Sequence, residues 1–124
     1  MHDPVFGLLE FERGIWAYIP KANCPEFMVS VDAPETGPTD RQRDFFQEIR
    51  ANLPDLHLRA RDIMRSRANC SVDVNGLSIY SVEIGDDGET ARQHFVLELS
   101  DCDASLIHRV VFRAGDPVDY GCDE

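Results

Sequence analysis

The sequence contains neither a long apolar run nor a cationic leader. In residues 1–20, MHDPVFGLLEFERGIWAYIP, acidic side chains interrupt each apolar stretch, which is not the pattern of a secretory signal. No stretch reaches the roughly 20 apolar residues that a transmembrane helix needs. We therefore expect a cytoplasmic protein that has no membrane partner.

Closely spaced cysteines are also missing. The chain has four cysteines, separated by 46, 32 and 20 residues: Cys24, Cys70, Cys102 and Cys122. Because no C-x-x-C pair can hold a zinc ion or form a redox couple, reduced structural thiols are the simplest interpretation, with a disulfide left open. The acidic stretches DDGET and DCDASL break the spacing of a calcium-binding loop. We expect no metal and no cofactor.

Familiar catalytic motifs are absent as well. G-x-S-x-G, H-E-x-x-H, Walker A and G-x-G-x-x-G do not occur, and no histidine lies beside a nucleophile in a recognised motif. We assign no catalytic residue and expect a protein that is not an enzyme. Because a nucleophile and its base can be distant in sequence, a small-ligand enzyme that uses His94 or His108 with a nearby aspartate remains an alternative.

Negative charge is what the sequence has in excess. Its 124 residues include 23 acidic and 12 basic side chains, which give a formal net charge of −11. Since like charges repel, DNA, RNA and anionic lipid are poor partners, whereas a basic protein is attracted. The length and the 43% of apolar residues are sufficient for one core, and we expect a single domain over residues 1–124.

Residues 1–38 have the pattern of β structure. VFGLLEF and GIWAYIP flank a tight ERG turn, and EFMVSVD alternates apolar and polar side chains, which predicts a hairpin and a third strand. The second strand places Trp16 and Tyr18 on the face opposite Ile15 and Ala17. Either both faces of that strand are covered, or the two aromatic side chains form an exposed contact surface.

Residues 39–68 have the pattern of two helices. Thr39 and Gln42 have the spacing of a capping box, which predicts the start of the first helix. Pro54 predicts a restart, because proline is tolerated in the first turn of a helix but not in its interior. The apolar residues of the two helices fall on one stripe each: Phe45, Phe46, Ile49 and Leu53, then Leu56, Ala60, Ile63 and Met64.

The rest of the chain returns to strands. LSIYSVEI, RQHFVLELS and LIHRVVFRA alternate in hydrophobicity and predict a three-strand meander, with a hairpin turn at Asp87-Gly88 and a frayed tail at DYGCDE. The predicted fold class is α+β, with a mostly antiparallel sheet in the chain order βββααβββ packed on the helical pair. The net charge is −4 over residues 1–38, +2 over 39–68 and −9 over 69–124, so the strands and turns form an acidic side.

Two groups of acidic residues lie at opposite ends of the predicted middle strand. A basic partner that bridges the sheet would contact one or both of these rims, with Glu83, Glu98 and the aromatic strand between them. Ordinary turn chemistry and solubility are the alternative explanation for the acids. The hypothesis assigns seven partner-binding residues: Asp86, Asp87, Glu89, Asp101, Asp103, Trp16 and Tyr18.

DPVFGLLEFERGIWAYIP, PTDRQRDFFQEIRANLPDL and VVFRAGDPVDYGCDE together resemble the layout of a group of small uncharacterised bacterial proteins. That resemblance covers most of the chain, and the motifs that carry it are structural ones that include no catalytic residue. Members of the group are often encoded near polymorphic toxins and are treated as immunity proteins, so the resemblance implies a non-enzymatic protein that neutralises a basic toxin by direct binding. A structural or homo-oligomeric module that pairs through a sheet edge is a further alternative.

Overall fold

The computed structural model describes residues 1–18, 27–67, 76–101 and 106–123. Three of the four cysteines and the predicted rim residue Asp103 lie outside these ranges. Along the described residues the elements follow one another as β1 (His2–Asp3), β2 (Gly7–Leu8), β3 (Glu10–Glu12), β4 (Ile15–Tyr18), β5 (Met28–Asp32), α1 (Asp40–Ala51), α2 (Leu53–Arg67), β6 (Ser78–Ile84), α3 (Asp87–Thr90), β7 (His94–Ser100), β8 (Ile107–Arg113) and β9 (Asp116–Asp123).

Seven strands form one sheet in the order β3-β4-β5-β6-β7-β8-β9, while β1 and β2 pair separately. All neighbours in the large sheet are antiparallel except β5 and β6, which are parallel because α1 and α2 lie between them in the chain. The predicted α+β class with a mostly antiparallel sheet is therefore confirmed. The chain order differs from βββααβββ, since the described residues add the β1–β2 pair, α3 and β9.

The first hairpin and both helices lie where the sequence predicts them. Arg13 and Gly14 connect β3 to β4 with positive φ angles of 53° and 84°, as tight hairpin turns require. Thr39 caps α1, and the reciprocal contacts of the capping box with Gln42 are present. Helix α1 ends at Ala51 and α2 begins at Leu53, so the predicted restart at Pro54 is correct.

The core lies between the two long helices and one face of the sheet. It joins the predicted stripes of α1 and α2 to alternate side chains of the strands, such as Val31, Val82, Leu97 and Phe112. The Phe95 ring contacts Phe45 of α1 edge to face and stacks on Phe112 of β8. Residues that alternate with these along β6, β7 and β8 lie on the opposite face of the sheet, which we call the outer face.

Two local predictions are wrong. Asp87-Gly88 does not form a two-residue hairpin turn, because Asp86 accepts a hydrogen bond from the Glu89 amide (2.8 Å) and caps the one-turn helix α3. The left-handed residue of this connection is instead Gln93, with φ 55°. The tail is not frayed through Asp123, since β9 pairs with β8 from Arg113↔Asp116 to Ile107↔Asp123.

The N-terminal residues are attached to the domain by a buried aspartate. Asp3 is 2% exposed and accepts hydrogen bonds from the amides of Val5 (2.9 Å) and Phe6 (3.0 Å). Its other oxygen accepts from Arg43 of α1 at 2.8 Å. In the described ranges no helix combines the length and apolarity needed to cross a membrane.

Candidate partner-binding surface

The first acidic rim consists of Asp86, Asp87 and Glu89 on helix α3. The N-terminal turn of α3 fixes the Asp86 carboxylate as a cap, and Asp87 lies 3.7 Å from the guanidinium of Arg41. Asp32, at the end of β5, belongs to the same region. Burial raises the pKa of Asp32, and the nearby Asp86 and Glu89 raise it further. The structure therefore brings the three predicted rim residues together with a fourth acid that the sequence did not indicate.

A buried glutamine holds this rim in place. Gln42 has no solvent exposure and donates hydrogen bonds to the carbonyls of Asp32 (2.7 Å) and Gly85 (3.0 Å), at the ends of β5 and β6. The buried Thr90 hydroxyl also donates to the Gly85 carbonyl, at 2.9 Å. Because one side chain links the start of α1 to two strand ends, the rim and α1 are positioned relative to each other.

A groove continues from the rim along α1. Two cavities of about 540 and 240 Å³ adjoin each other and share Phe45, Glu48 and Gln93. Four buried apolar side chains form its floor: Phe45, Ile49, Leu56 and Phe95. Polar side chains of α1, α2 and the connections around α3 and β9 form its walls: Arg41, Asp44, Glu48, Asn52, Asp55, Arg59 and Gln93.

The acids of the groove differ in whether they are already paired. Asp55 lies 3.0 Å from Arg59, which also contacts Asp116 at 3.5 Å, so both acids at that end of the groove already have a cationic partner. Asp44 and Glu48 are exposed and have no ion-pair partner within the part of the chain that the structure describes. Two carboxylates one helical turn apart over an apolar floor can accept a cation from a partner.

The second predicted rim lies at the other end of β7. Asp101 follows the last residue of that strand and is exposed, whereas Asp103 is outside the described residues. A strand of seven residues spans roughly 23 Å. The first rim and Asp101 are therefore separate surfaces, as the sequence predicts.

The outer face between the two rims carries a charge network in which one arginine is shared by two glutamates. Arg109 of β8 forms two hydrogen bonds with Glu83, both 3.0 Å, and one with Glu98, also 3.0 Å. Ser81 donates to the second oxygen of Glu98. Hydrogen bonding to Glu83 is the main cause of the raised pKa of Arg109. Glu83 and Glu98, predicted to lie between the rims, are thus largely occupied by this arginine.

The two predicted aromatic contact residues point toward the helix side of the sheet. Trp16 is 7% exposed, donates to the Pro34 carbonyl at 2.9 Å and contacts the Phe11 ring. It therefore corresponds to the core alternative of the sequence interpretation and does not form an open contact surface. Tyr18 is half-buried and lines a different cavity, beside Phe6.

His108 and Cys122 lie in contact although no sequence motif links them. His108 Nδ1 lies 2.7 Å from the Tyr120 hydroxyl and 3.3 Å from Cys122 Sγ, because β9 pairs with β8 in the register His108↔Cys122. Burial lowers the pKa of His108, and the charge of Asp101 opposes this only in part. A lowered pKa makes the imidazole a weaker proton acceptor, so it activates a neighbouring thiol less than an ordinary histidine would.

His94, the other histidine of the enzyme alternative, lies 3.5 Å from Glu89 through Nδ1. Within the described ranges, no group of three or more histidine, cysteine, aspartate or glutamate side chains is arranged to hold a metal ion.

Comparisons with protein-family models, curated proteins and solved structures give no match to this chain.

Proposed function

We propose that this protein binds a basic protein partner through the groove and the first acidic rim, without catalysing a reaction. The observation that carries the proposal is the combination of an apolar floor with Asp44 and Glu48, whose carboxylates have no cation within ion-pair distance among the described residues. Most other acids of known placement near the groove are already paired. A lysine or arginine of the partner would complete this site.

The two parts of the surface contribute differently to binding. Exposed carboxylates attract a cationic partner and accelerate encounter, and this effect weakens as salt is added. The apolar floor loses water on contact and supplies affinity, since buried apolar contacts dominate the energy of most interfaces. Net charge of −11 favours a basic protein over nucleic acid or an anionic membrane as the occupant.

The resemblance to immunity proteins gives this binding a biological role. We infer that the partner is a basic bacterial toxin encoded next to this protein, and that the complex forms in the cytoplasm. Direct binding would neutralise the toxin by covering its active site or substrate groove. What supports this role is the charge of the groove together with the layout of the sequence.

Association kinetics with the product of the adjacent gene test the proposal. The double variant Asp44→Asn/Glu48→Gln should associate about fivefold more slowly at low salt and show a flatter salt dependence. The matched control is Glu10→Gln/Glu12→Gln, which removes the same charge from exposed positions on β3 and should change the rate much less. Equal slowing by both variants would show that only net charge matters, and absence of binding would contradict the proposed partner.

A further inference from the structure

A separate cavity lies on the other side of α1 from the groove. It has a volume of about 390 Å³ and opens between the β1–β2 pair, the end of β4, the start of β5 and the C-terminal part of α1. Polar atoms supply about half of its exposed surface, while most of its lining residues are apolar or aromatic: Val5, Phe6, Gly7, Tyr18, Phe27, Val29 and Arg50. A volume of this size is within the range of cavities that bind small organic molecules.

The walls of the cavity belong to the core and are held in place. Phe6 and Val29 are each 4% exposed, and the Phe6 ring lies 4.8 Å from the ring of Phe46. Tyr18 and Phe27 are half-buried and complete the aromatic wall. An apolar ligand could therefore lose its hydration shell against side chains that are already ordered, which reduces the entropy cost of binding.

Among the described lining residues Arg50 alone is charged, and its environment differs from that of four other helix arginines. Its guanidinium carbon lies 5.2 Å from the centre of the Phe46 ring. No carboxylate of the described residues lies within ion-pair distance of it, whereas four other arginines of α1 and α2 each pair with an aspartate: Arg41, Arg43, Arg59 and Arg65. In a chain of net charge −11, this leaves a local positive site at a cavity with aromatic walls.

The chemistry of the cavity defines the ligand that would fit it. Stacking on Phe46 restricts the guanidinium, whose planar fork can donate two hydrogen bonds to one carboxylate. Aromatic walls favour a flat or branched apolar body. A single arginine balances one negative charge, whereas a dianion would leave uncompensated charge in a strongly acidic protein.

We propose that this cavity binds a small monocarboxylate with an aromatic body, which packs against Phe6, Tyr18 and Val29 while its carboxylate contacts Arg50. This site is independent of the partner-binding groove, and its residues do not overlap with those of the groove. The protein would then have two ligands of opposite charge at two surfaces.

Titration with phenylacetate, followed by backbone amide NMR shifts, tests the site. We expect saturable shifts at Phe6, Gly7 and Val29, and at least about tenfold weaker binding for the neutral analogue phenylacetamide, because the charge-assisted contact to Arg50 is lost. Arg50→Gln should weaken phenylacetate binding by a similar factor, and Arg50→Lys by less.

The matched control is Arg92→Gln, which removes one positive charge from the exposed turn after α3 and should leave phenylacetate binding unchanged. The proposal is overturned if phenylacetate gives no saturable shifts up to its solubility limit. It is equally overturned if phenylacetamide binds as tightly, if Arg50→Gln has no effect, or if Arg92→Gln weakens binding as much as Arg50→Gln does. None of these results depends on whether the groove binds a basic protein.

Discussion

Asp3 shows how a single charged residue near the start of the chain stabilises the domain. Its carboxylate is buried, accepts two backbone amides and pairs with Arg43 of α1. Burial by itself raises the pKa of Asp3, but the hydrogen bonds from Phe6, Val5 and Arg43 outweigh it and hold that pKa below its ordinary value. The folded state therefore stabilises the ionised Asp3 carboxylate more than the unfolded state does.

Replacing this carboxylate gives a prediction with a definite pH dependence. Asp3→Ala should lower the free energy of unfolding by about 2–3 kcal/mol at pH 7, because two amides and a guanidinium lose a charged acceptor. The contribution of Asp3 is fully present above its unfolded pKa and is lost as pH falls through its lower folded pKa. Denaturant titrations of both proteins should thus converge in acid, and a constant difference down to pH 2 would contradict this.

The reactivity of Cys122, which contacts His108, distinguishes the binding proposal from the enzyme alternative. Because burial lowers the pKa of His108 and makes it a weaker proton acceptor, we expect the Cys122 thiol to react with iodoacetamide at pH 7 within about threefold of the rate of a cysteine in an unstructured peptide. Peptide-resolved mass spectrometry distinguishes Cys122 from the other three cysteines. A rate more than about tenfold higher, abolished by His108→Gln, would favour an enzyme that uses this histidine.

At the scale of the elements, α1 connects the core with the binding surface. Its buried face carries Phe45, Phe46 and Ile49, and its exposed face carries Asp44 and Glu48 at the groove. A loss of α1 packing would therefore also move the groove residues. Truncating one buried side chain of α1, Phe46, measures how much this packing stabilises the protein.

Phe46→Ala should destabilise the protein by about 3–5 kcal/mol, through lost burial and the cavity that remains. Phe46 is 1% exposed and contacts the ring of Phe6. The control Leu58→Ala removes an apolar side chain that is 56% exposed on α2 and should change stability by less than about 0.5 kcal/mol. Thermal or urea unfolding measures both. Similar small losses in the two variants would show that the buried face of α1 is assigned incorrectly.

Periodicity and capping made the helices and the first hairpin predictable, because those signals are local: Thr39 and Gln42 for the start of α1, Pro54 for α2, and Arg13-Gly14 for the turn. The turn after β6 was not predictable in this way. Asp87-Gly88 suits a hairpin, but Asp86 also suits a helix cap, and the contact of Gly85 with Gln42 is tertiary. The residues of the turn alone therefore do not decide between a hairpin turn and a capped helix.

The proposed binding surface was predictable only in part, for a similar reason. Asp86, Asp87 and Glu89 were assigned to it from the sequence because acids concentrate in that stretch, and their role in binding stays a prediction. Asp44 and Glu48 were not singled out, although their i, i+4 spacing places both along one edge of the Phe45 stripe, because their role in the proposal depends on which acids have arginine partners. That pairing, like the contact of Arg109 with Glu83, becomes known only when distant strands are placed side by side.

At the scale of the whole molecule, the carboxylates of two surfaces differ in whether they are paired. On the outer face Arg109 contacts Glu83 and Glu98, whereas on the groove side Asp44 and Glu48 have no ion-pair partner among the described residues. In the proposed function, the net charge attracts a basic partner and the unpaired acids favour docking in the groove. The location of the interface is therefore the part of the proposal that most needs a direct test.

Hydrogen–deuterium exchange with and without the adjacent-gene product measures that location directly. Binding in the groove predicts slower exchange in the exposed turns of α1 around residues 41–52 and in residues 86–95, since a bound partner suppresses local opening. The strands β8 and β3 should exchange at unchanged rates. Slower exchange confined to β8 and β9, with α1 and α3 unaffected, would place the partner on the outer face and contradict the account.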